Sequence, residues 1–339
     1  MDIDRKCDAV ARASGCEVRR DALTRALYAT DASVYRVEPA AVAFPRSAAE
    51  TAALARAAAE AGVPLTARGA GSGLAGGALG GGIVADLARH NRAILGYSAE
   101  EGTVAVQAGV VLDQLNAFLQ PMGVTFGPDV ATSSRATLGG MLGNNSSGAR
   151  APVYGTTVDH TVSVETILAD GAVVTLGPGT PLPLPGAAAL DAAILARGDE
   201  VRGRFHDGIC KRWPAYGLDR YLRARGAAGP DWSKLIGGSE GTLGIVFSAT
   251  LRVTPLPKSK GLAVLFFDDP AESFEAAAAL QALAPVAIEY VDDVLFDQTR
   301  GQRAFQPARD FLELDAKPCR IFLMVEFYNN ELDGLAELA

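Results

Sequence analysis

Apolar residues fall in short runs separated by turn residues, a pattern that predicts strands and helices alternating along the chain. The runs AAVAF (40–44) and VPLTA (63–67) bracket an alanine-rich stretch that opens at Ser47-Ala-Ala-Glu50. Those four residues have the spacing of a capping box, and Gly62 followed by Pro64 reads as a helix stop. The result is a strand–helix–strand unit that runs directly into PLTARGAGSGLAGGALGGG. Further strands are expected at 83–87 and 103–109, and a helix from Val111 to Gln120 before Pro121. VSVETILADGAVVTLG gives two β-rich runs joined at Asp170-Gly171, a hairpin signal. Residues 177–232 begin Pro/Gly-rich and read as an excursion from the main sheet, to which 244–254 returns as a strand. PLPKSKG (255–261) reads as a linker. After it come a strand (LAVLFF), a helix (PAESFEAAAALQALA) and another strand (RIFLMVEF, 320–327).

At 339 residues the chain has room for two domains. The formal net charge of −8, with acids and bases interspersed, argues against a nucleic-acid partner. No run reaches the length of a membrane span, and the N-terminus lacks a signal-peptide pattern. Cys7, Cys16, Cys210 and Cys319 form no CxxC pair, and His90, His160 and His206 are equally scattered. Both sets read as ordinary side chains rather than metal ligands or a disulfide framework, and the cytoplasm is the expected compartment.

Eight glycines between Gly69 and Gly82 change the picture. Bare backbone at this density suits close approach to a ligand. Gly71-Ser-Gly73-Leu-Ala-Gly76 formally matches the dinucleotide fingerprint GxGxxG, but a β-rich run follows where that motif needs a helix. A nicotinamide-dinucleotide oxidoreductase is therefore disfavoured, and no GKS or GKT supports a Walker loop. A third reading is a strand-to-strand loop whose amides form an anion-binding concavity. In that reading Arg68 adds a charge and Ser72 a hydroxyl. The alternative, a glycine-rich bend with no ligand, stays open on this stretch alone. Two further loops, PDVATSSRATLGGMLGNNSSGA (128–149) and LIGGSEGTLGI (235–245), are rich in glycine and small polar groups. Together the three suit an elongated polar cofactor.

Read together, these segments resemble the FAD-binding (PCMH-type) domain of the vanillyl-alcohol-oxidase-like flavoproteins. The branch most like this chain is that of the D-lactate, glycolate and D-2-hydroxyglutarate dehydrogenases, and NNSSGA (144–149) is similar to long bacterial members fused to an iron–sulfur domain. The resemblance covers about residues 25–335. It implies an α+β fold: an FAD-binding domain at 1–254, with two α/β subdomains at about 25–109 and 110–254. The start of a ferredoxin-like α+β cap, incomplete here, would occupy 255–339. In the family the first loop wraps the FAD diphosphate, matching Arg68, Gly69, Ala70, Gly71, Ser72, Gly73, Gly76 and Gly77. The second lies along diphosphate and flavin, matching Pro128, Asp129, Ser133, Ser134, Thr137, Gly139, Gly140, Asn145, Ser147 and Gly148. The YGTTxD motif matches Tyr154, Gly155 and Asp159, and the strand and turn Ser163–Gly171, with Val164, match a segment on the adenine side. GSEGTLGI implies Glu240, Gly244 and Ile245. No histidine lies between residues 68 and 82, so noncovalent FAD is expected.

The implied reaction oxidises a D-2-hydroxy acid to a 2-oxo acid, with electrons passed to an iron–sulfur or quinone-linked acceptor. That acceptor would be a further domain or subunit, and through it the protein could sit at the inner membrane. Departures stand beside the matches. The family's HxGDGNxH metal motif and the iron–sulfur cysteine motifs are absent, and its substrate-carboxylate arginine lies beyond residue 339. The catalytic residues are thus not legible, and an FAD-binding subunit or fragment without turnover is the alternative. Lys211 and Arg212 are the nearest candidate cations, read more simply as an exposed basic pair. Trp213 and Tyr216 read as packing residues. A half-built cap is expected to expose apolar surface at 320–327 and to make the chain poorly soluble.

Overall fold

The computed structural model describes residues 3–205, 215–226, 228–317 and 319–329. His206, Cys210, Lys211, Arg212 and Trp213 lie outside the described residues. Two units separate by their contacts: Met1–Gly148 with Gly155–Pro255, and Ala149–Tyr154 with Leu256–Ala339.

The first unit opens with α1 (Ile3–Ser14), β1 (Glu17–Arg19), α2 (Ala22–Tyr28), β2 (Ala41–Phe44), α3 (Ala48–Ala61), β3 (Leu65–Arg68) and β4 (Ile83–Asp86). The four strands form one sheet in the order β1-β2-β4-β3. The last three run parallel, and β1 is antiparallel at the edge. Every residue of β2 and β4 is buried, which explains why β2 and the first three residues of β4 read as apolar runs, with Asp86 the buried exception. At the start of α3, Ser47 Oγ accepts from the Glu50 amide at 3.1 Å. Glu50 reaches back to the Arg46 amide at 2.9 Å, one residue earlier than the regular box. Gly62 ends the helix in the left-handed region, φ 59°. The alanine content of α3 follows from burial on two sides. Leu54, Ala57 and Ala58 pack with Cys7, Val10 and Ile83, while Ala52 and Ala55 pack with Ile167, Ile245 and Phe247 of the second sheet.

That second sheet draws on a longer stretch of chain, which also contains α4 (Leu112–Leu119) and α5 (Leu138–Asn144). Its strands include β5 (Ile94–Ser98) and β6 (Thr103–Gln107); β7 (Val124–Thr125) stands apart from it. β8 (Thr161–Ile167), β9 (Val173–Leu176) and β10 (Ile245–Arg252) complete the antiparallel order β5-β6-β10-β8-β9, and β11 (Thr254–Pro255) pairs with β7. The expected subdomain division after residue 109 is therefore corrected. β5 and β6 join the second sheet because β6 pairs with β10, a partner distant in sequence. The β8–β9 hairpin turns at Asp170-Gly171, with Gly171 at φ 80° and a Cβ there abutting the Ala52 carbonyl of α3. A bulge between Val246 and Ser248 in β10 changes which face alternate residues occupy. Ile245 and Phe247 face α3, whereas Val246, Ala249 and Leu251 join the core beneath α4 and α5.

The second unit holds β12 (Ser259–Phe267), helix Pro270–Leu280, β13 (Ala287–Asp292) and β14 (Ile321–Asn329). β14 lies between β12 and β13 and is antiparallel to both, a split β-α-β arrangement. Two expectations are corrected here. Residues 259–261 of the supposed linker are already strand, held by pairing to Phe327, Tyr328 and Asn329. Segment 320–327 is not an exposed apolar face, because β14 is the central strand and Ile321, Leu323 and Val325 are buried. Exposed apolar side chains occur instead on the edge strand β12, at Leu262 (64%) and Phe266 (46%).

Candidate cofactor cavity

The glycine stretch is the crossover between two parallel neighbours. Leu65 of β3 pairs with Ile83 of β4, so residues 69–82 must carry the chain back along the strands. Such returns usually use a helix. Here bare backbone does it, and the glycines divide by task. Gly80 and Gly82 let the return leg lie on β3: a Cβ on Gly82 would overlap the Pro64 carbonyl, and one on Gly80 the Thr66 hydroxyl. Gly69, Gly71, Gly73 and Gly77 line a cavity of about 470 Å³.

The second loop supplies the opposite wall. Gly139 packs on Ala108, where a Cβ would come within 2.6 Å of the Ala108 Cβ. This seats α5 close to β6 and brings Thr137, Gly139 and Gly140 to the cavity. Asn145 closes α5 in the left-handed region, φ 48°. The third loop is fastened to that helix end: Gly238 N donates to Leu142 O at 2.8 Å and Glu240 N to Gly143 O at 2.9 Å. Glu240 takes φ 51° to do so. Glu240, Gly244 and Ile245 thereby reach the same cavity.

Of the expected contacts, Arg68, Ala70 and Ser72 also line it. Arg68 is committed to structure, donating to Thr30 O at 2.8 Å and Tyr28 O at 3.3 Å while stacking over the Tyr28 ring. The Tyr28 hydroxyl donates to buried Asp86; burial and that hydrogen bond push the phenol above its ordinary value. Ala32 N donates to Gly71 O at 2.9 Å, so segment 28–32 is strapped to the glycine crossover.

The remaining expected residues lie off the cavity wall. Gly76 turns at φ 80° against the Tyr35 ring. Ser133 accepts the Asp113 amide in the first turn of α4, Ser134 is exposed and Pro128 is buried. Gly148 packs on Asp129, and Ser147 precedes that contact. Asn145 Oδ1 accepts from the Val158 amide at 3.0 Å. Val164 is buried in the core of the second sheet. Tyr154 belongs to the second unit. Gly155, at φ 69°, leaves room for the Asp159 carboxylate, which pairs with Arg220 at 2.6 Å. Partial burial alone would raise the Asp159 pKa, but the hydrogen bonds and charge of Arg220, with Thr156, bring it down to about 2. Thr132, Asn144, Ser146 and Ser239 line the cavity without having been singled out in the sequence. They sit beside the expected positions in the same loops, and only the path of the backbone selects them.

The lining suits an elongated, hydrogen-bonding ligand. Thr137 is 3% exposed and its hydroxyl has no partner among the described residues. That hydroxyl stands against the first loop: a Cβ on Gly69 would come within 2.1 Å of it, and one on Gly140 within 3.3 Å. A buried hydroxyl in a cavity wall calls for a partner. None of the described lining residues is histidine, cysteine or tyrosine. His160 is buried elsewhere, its Nδ1 within 3.3 Å of Arg252 O, and His90 is exposed.

Residues 39–177 match the family model described as FAD binding domain. The chain is 34% identical over 296 residues to a D-2-hydroxyglutarate dehydrogenase of Escherichia coli (strain K12), an alignment covering 81% of this chain and 28% of that protein. It is 29% identical over 287 residues to a D-lactate dehydrogenase of Anaerostipes hadrus, covering 81% and 49%. The chain thus spans less than a third of the first relative and about half of the second. Among solved structures, an alkyldihydroxyacetonephosphate synthase matches with a TM-score of 0.68 at 19% identity, covering 93% of this chain and 53% of that one. This likeness shows the α+β fold that the sequence resemblance implies. The family match covers residues 39–177, the stretch that holds the first and second glycine-rich loops.

Proposed function

We propose that this chain is the flavin-holding part of a dehydrogenase that oxidises a D-2-hydroxy acid to the 2-oxo acid. The reading is carried by the orphaned Thr137 hydroxyl in a cavity walled by the loops of an FAD binding domain. The substrate class comes from the names of the relatives, a D-2-hydroxyglutarate and a D-lactate dehydrogenase. When bound, FAD would supply the redox chemistry as the two-electron acceptor, and a base would be needed for the proton of the substrate hydroxyl. The amides of Gly69, Gly71 and Gly73 would bind the diphosphate in an anion concavity, with Ser72 beside them. Thr137 would donate its hydroxyl to the same noncovalent cofactor. Leu87, Met141, Ile236 and Ile245 give the wall an apolar portion that excludes water.

The two charged residues among the described lining are Arg68 and Glu240, and Arg68 is committed to carbonyls. This favours a second reading, in which the chain holds FAD but turns over nothing alone. The base and the carboxylate-binding cation would then come from outside this cavity, as would the iron–sulfur or quinone-linked acceptor. Among the described residues no helix is long and apolar enough to cross a membrane. The test is to load the purified chain with FAD, desalt it, and add D-2-hydroxyglutarate or D-lactate without oxygen. Retained flavin that bleaches supports the dehydrogenase, and retained flavin that does not bleach supports the second reading. Loss of all flavin from folded protein would overturn both.

A further inference from the structure

The short turn Thr157–His160 does not line the cavity, yet it is tied to both loops that form its far wall. Toward the second loop, Val158 N donates to Asn145 Oδ1 at 3.0 Å. Ser146 O accepts from the Thr157 amide at 3.0 Å and from its hydroxyl at 2.7 Å. Toward the third, a Cβ on Gly237 would overlap Val158, and Lys234 Nζ donates to Val158 O at 3.1 Å and Thr161 O at 2.6 Å. The turn itself is held by Asp159. Its Oδ2 accepts from the amide and hydroxyl of Thr156, each at 2.8 Å. Arg220, on helix Leu218–Ala224, completes the knot. It donates from Nε to Oδ1 at 2.6 Å, from Nη2 to Oδ2 at 3.0 Å, and from Nη2 to the Thr156 hydroxyl at 3.1 Å. A two-pronged guanidinium–carboxylate pair fixes orientation as well as distance.

We infer that Asp159 and Arg220 are a positioning pair: they lock the 157–160 turn, and through it set the two loops at the width that admits the cofactor. The role of the YGTTxD motif is then mechanical. Gly155 makes room for the carboxylate, Thr156 caps the turn, Thr157 clamps Ser146, and Asp159 recruits a helix of the 177–232 excursion to brace the wall. The cofactor-affinity part of this inference rests on the FAD reading, but the loop-fastening part does not.

The experiment compares the full chain with D159N and R220K. In cofactor-free protein, hydrogen exchange is followed at the amides of Val158, Gly238 and Glu240, with α4 amides as the internal reference. FAD affinity is measured by quenching of flavin fluorescence. Both variants are expected to exchange those three amides about tenfold faster while α4 stays unchanged, and to bind FAD about tenfold more weakly. Unchanged exchange and affinity would overturn the inference, and so would acceleration spread equally over α4. If D159N does not fold, R220K decides, since it keeps the charge and loses only the fork. If the wild-type chain takes up no FAD, the proposed function fails, while the exchange comparison still judges the pair.

Discussion

Thr137 shows how a single side chain can be a liability to the empty protein and an asset to the loaded one. A buried hydroxyl without a partner costs about 1–3 kcal/mol of desolvation. T137V keeps the shape and removes that cost, so the cofactor-free variant should unfold at the same urea concentration as wild type or higher. The same variant should bind FAD about five- to tenfold more weakly, the worth of one hydrogen bond of ~1 kcal/mol. Equilibrium unfolding and a flavin titration on one preparation check both signs. Asp159 gives a pH prediction. Its folded-state pKa of about 2 lies below the ~3.9 of an unfolded aspartate. The stability it contributes is therefore present above about pH 4 and fades as pH falls toward 2. Urea midpoints of D159N should vary less steeply with pH across that window than those of wild type. With the side chain 38% exposed, solvent screening keeps the effect modest.

At the scale of elements, the glycine crossover carries two kinds of constraint that composition does not separate. Gly82 faces the Pro64 carbonyl, a backbone atom that cannot swing aside, whereas a Cβ on Gly81 meets nothing within 4 Å. G82A should lower unfolding free energy by about 1–3 kcal/mol, the usual cost of overpacking, and G81A should change it little. Chemical denaturation of the two variants separates packing glycines from merely flexible ones. The glycine density was legible in the sequence, as were the capping box at Ser47, the Asp170-Gly171 hairpin and the strands at 41–44, 83–86 and 245–252. The bulge in β10 was not. It inserts no unusual residue, and its signature is a change of facing that appears only once β8 is paired alongside.

For the molecule as a whole, ligand linkage should be confined to the unit that contains the cavity. Both tryptophans of the sequence fall between Gly155 and Pro255, and Trp232 is buried. The fluorescence of buried Trp232 therefore follows the first unit. FAD at a hundred times its Kd should stabilise the transition seen by fluorescence by about 2.7 kcal/mol. The part of a calorimetric trace that fluorescence does not report should stay where it was. A uniform shift of the whole trace would contradict this.

The sequence by itself determined the types of the elements it marked and the glycine-rich character of the three loops, because hydrophobic period, caps, turn residues and glycine density are local signals. The first two glycine-rich loops lie in the stretch 39–177 that the FAD binding domain model matches, whereas GSEGTLGI, at 238–245, lies outside it. Tertiary structure alone decided which sheet β5 and β6 join, since that depends on pairing with β10, far along the chain. It decided that β14 is buried as a central strand rather than exposed. It also sorted the motif residues into those that line the cavity and those that brace it. Thr137 and Asp159 are both polar residues in glycine-rich motifs, indistinguishable by type. What separates them is a partner: Arg220 lies within hydrogen-bond reach of one, and no atom of the described residues completes the other.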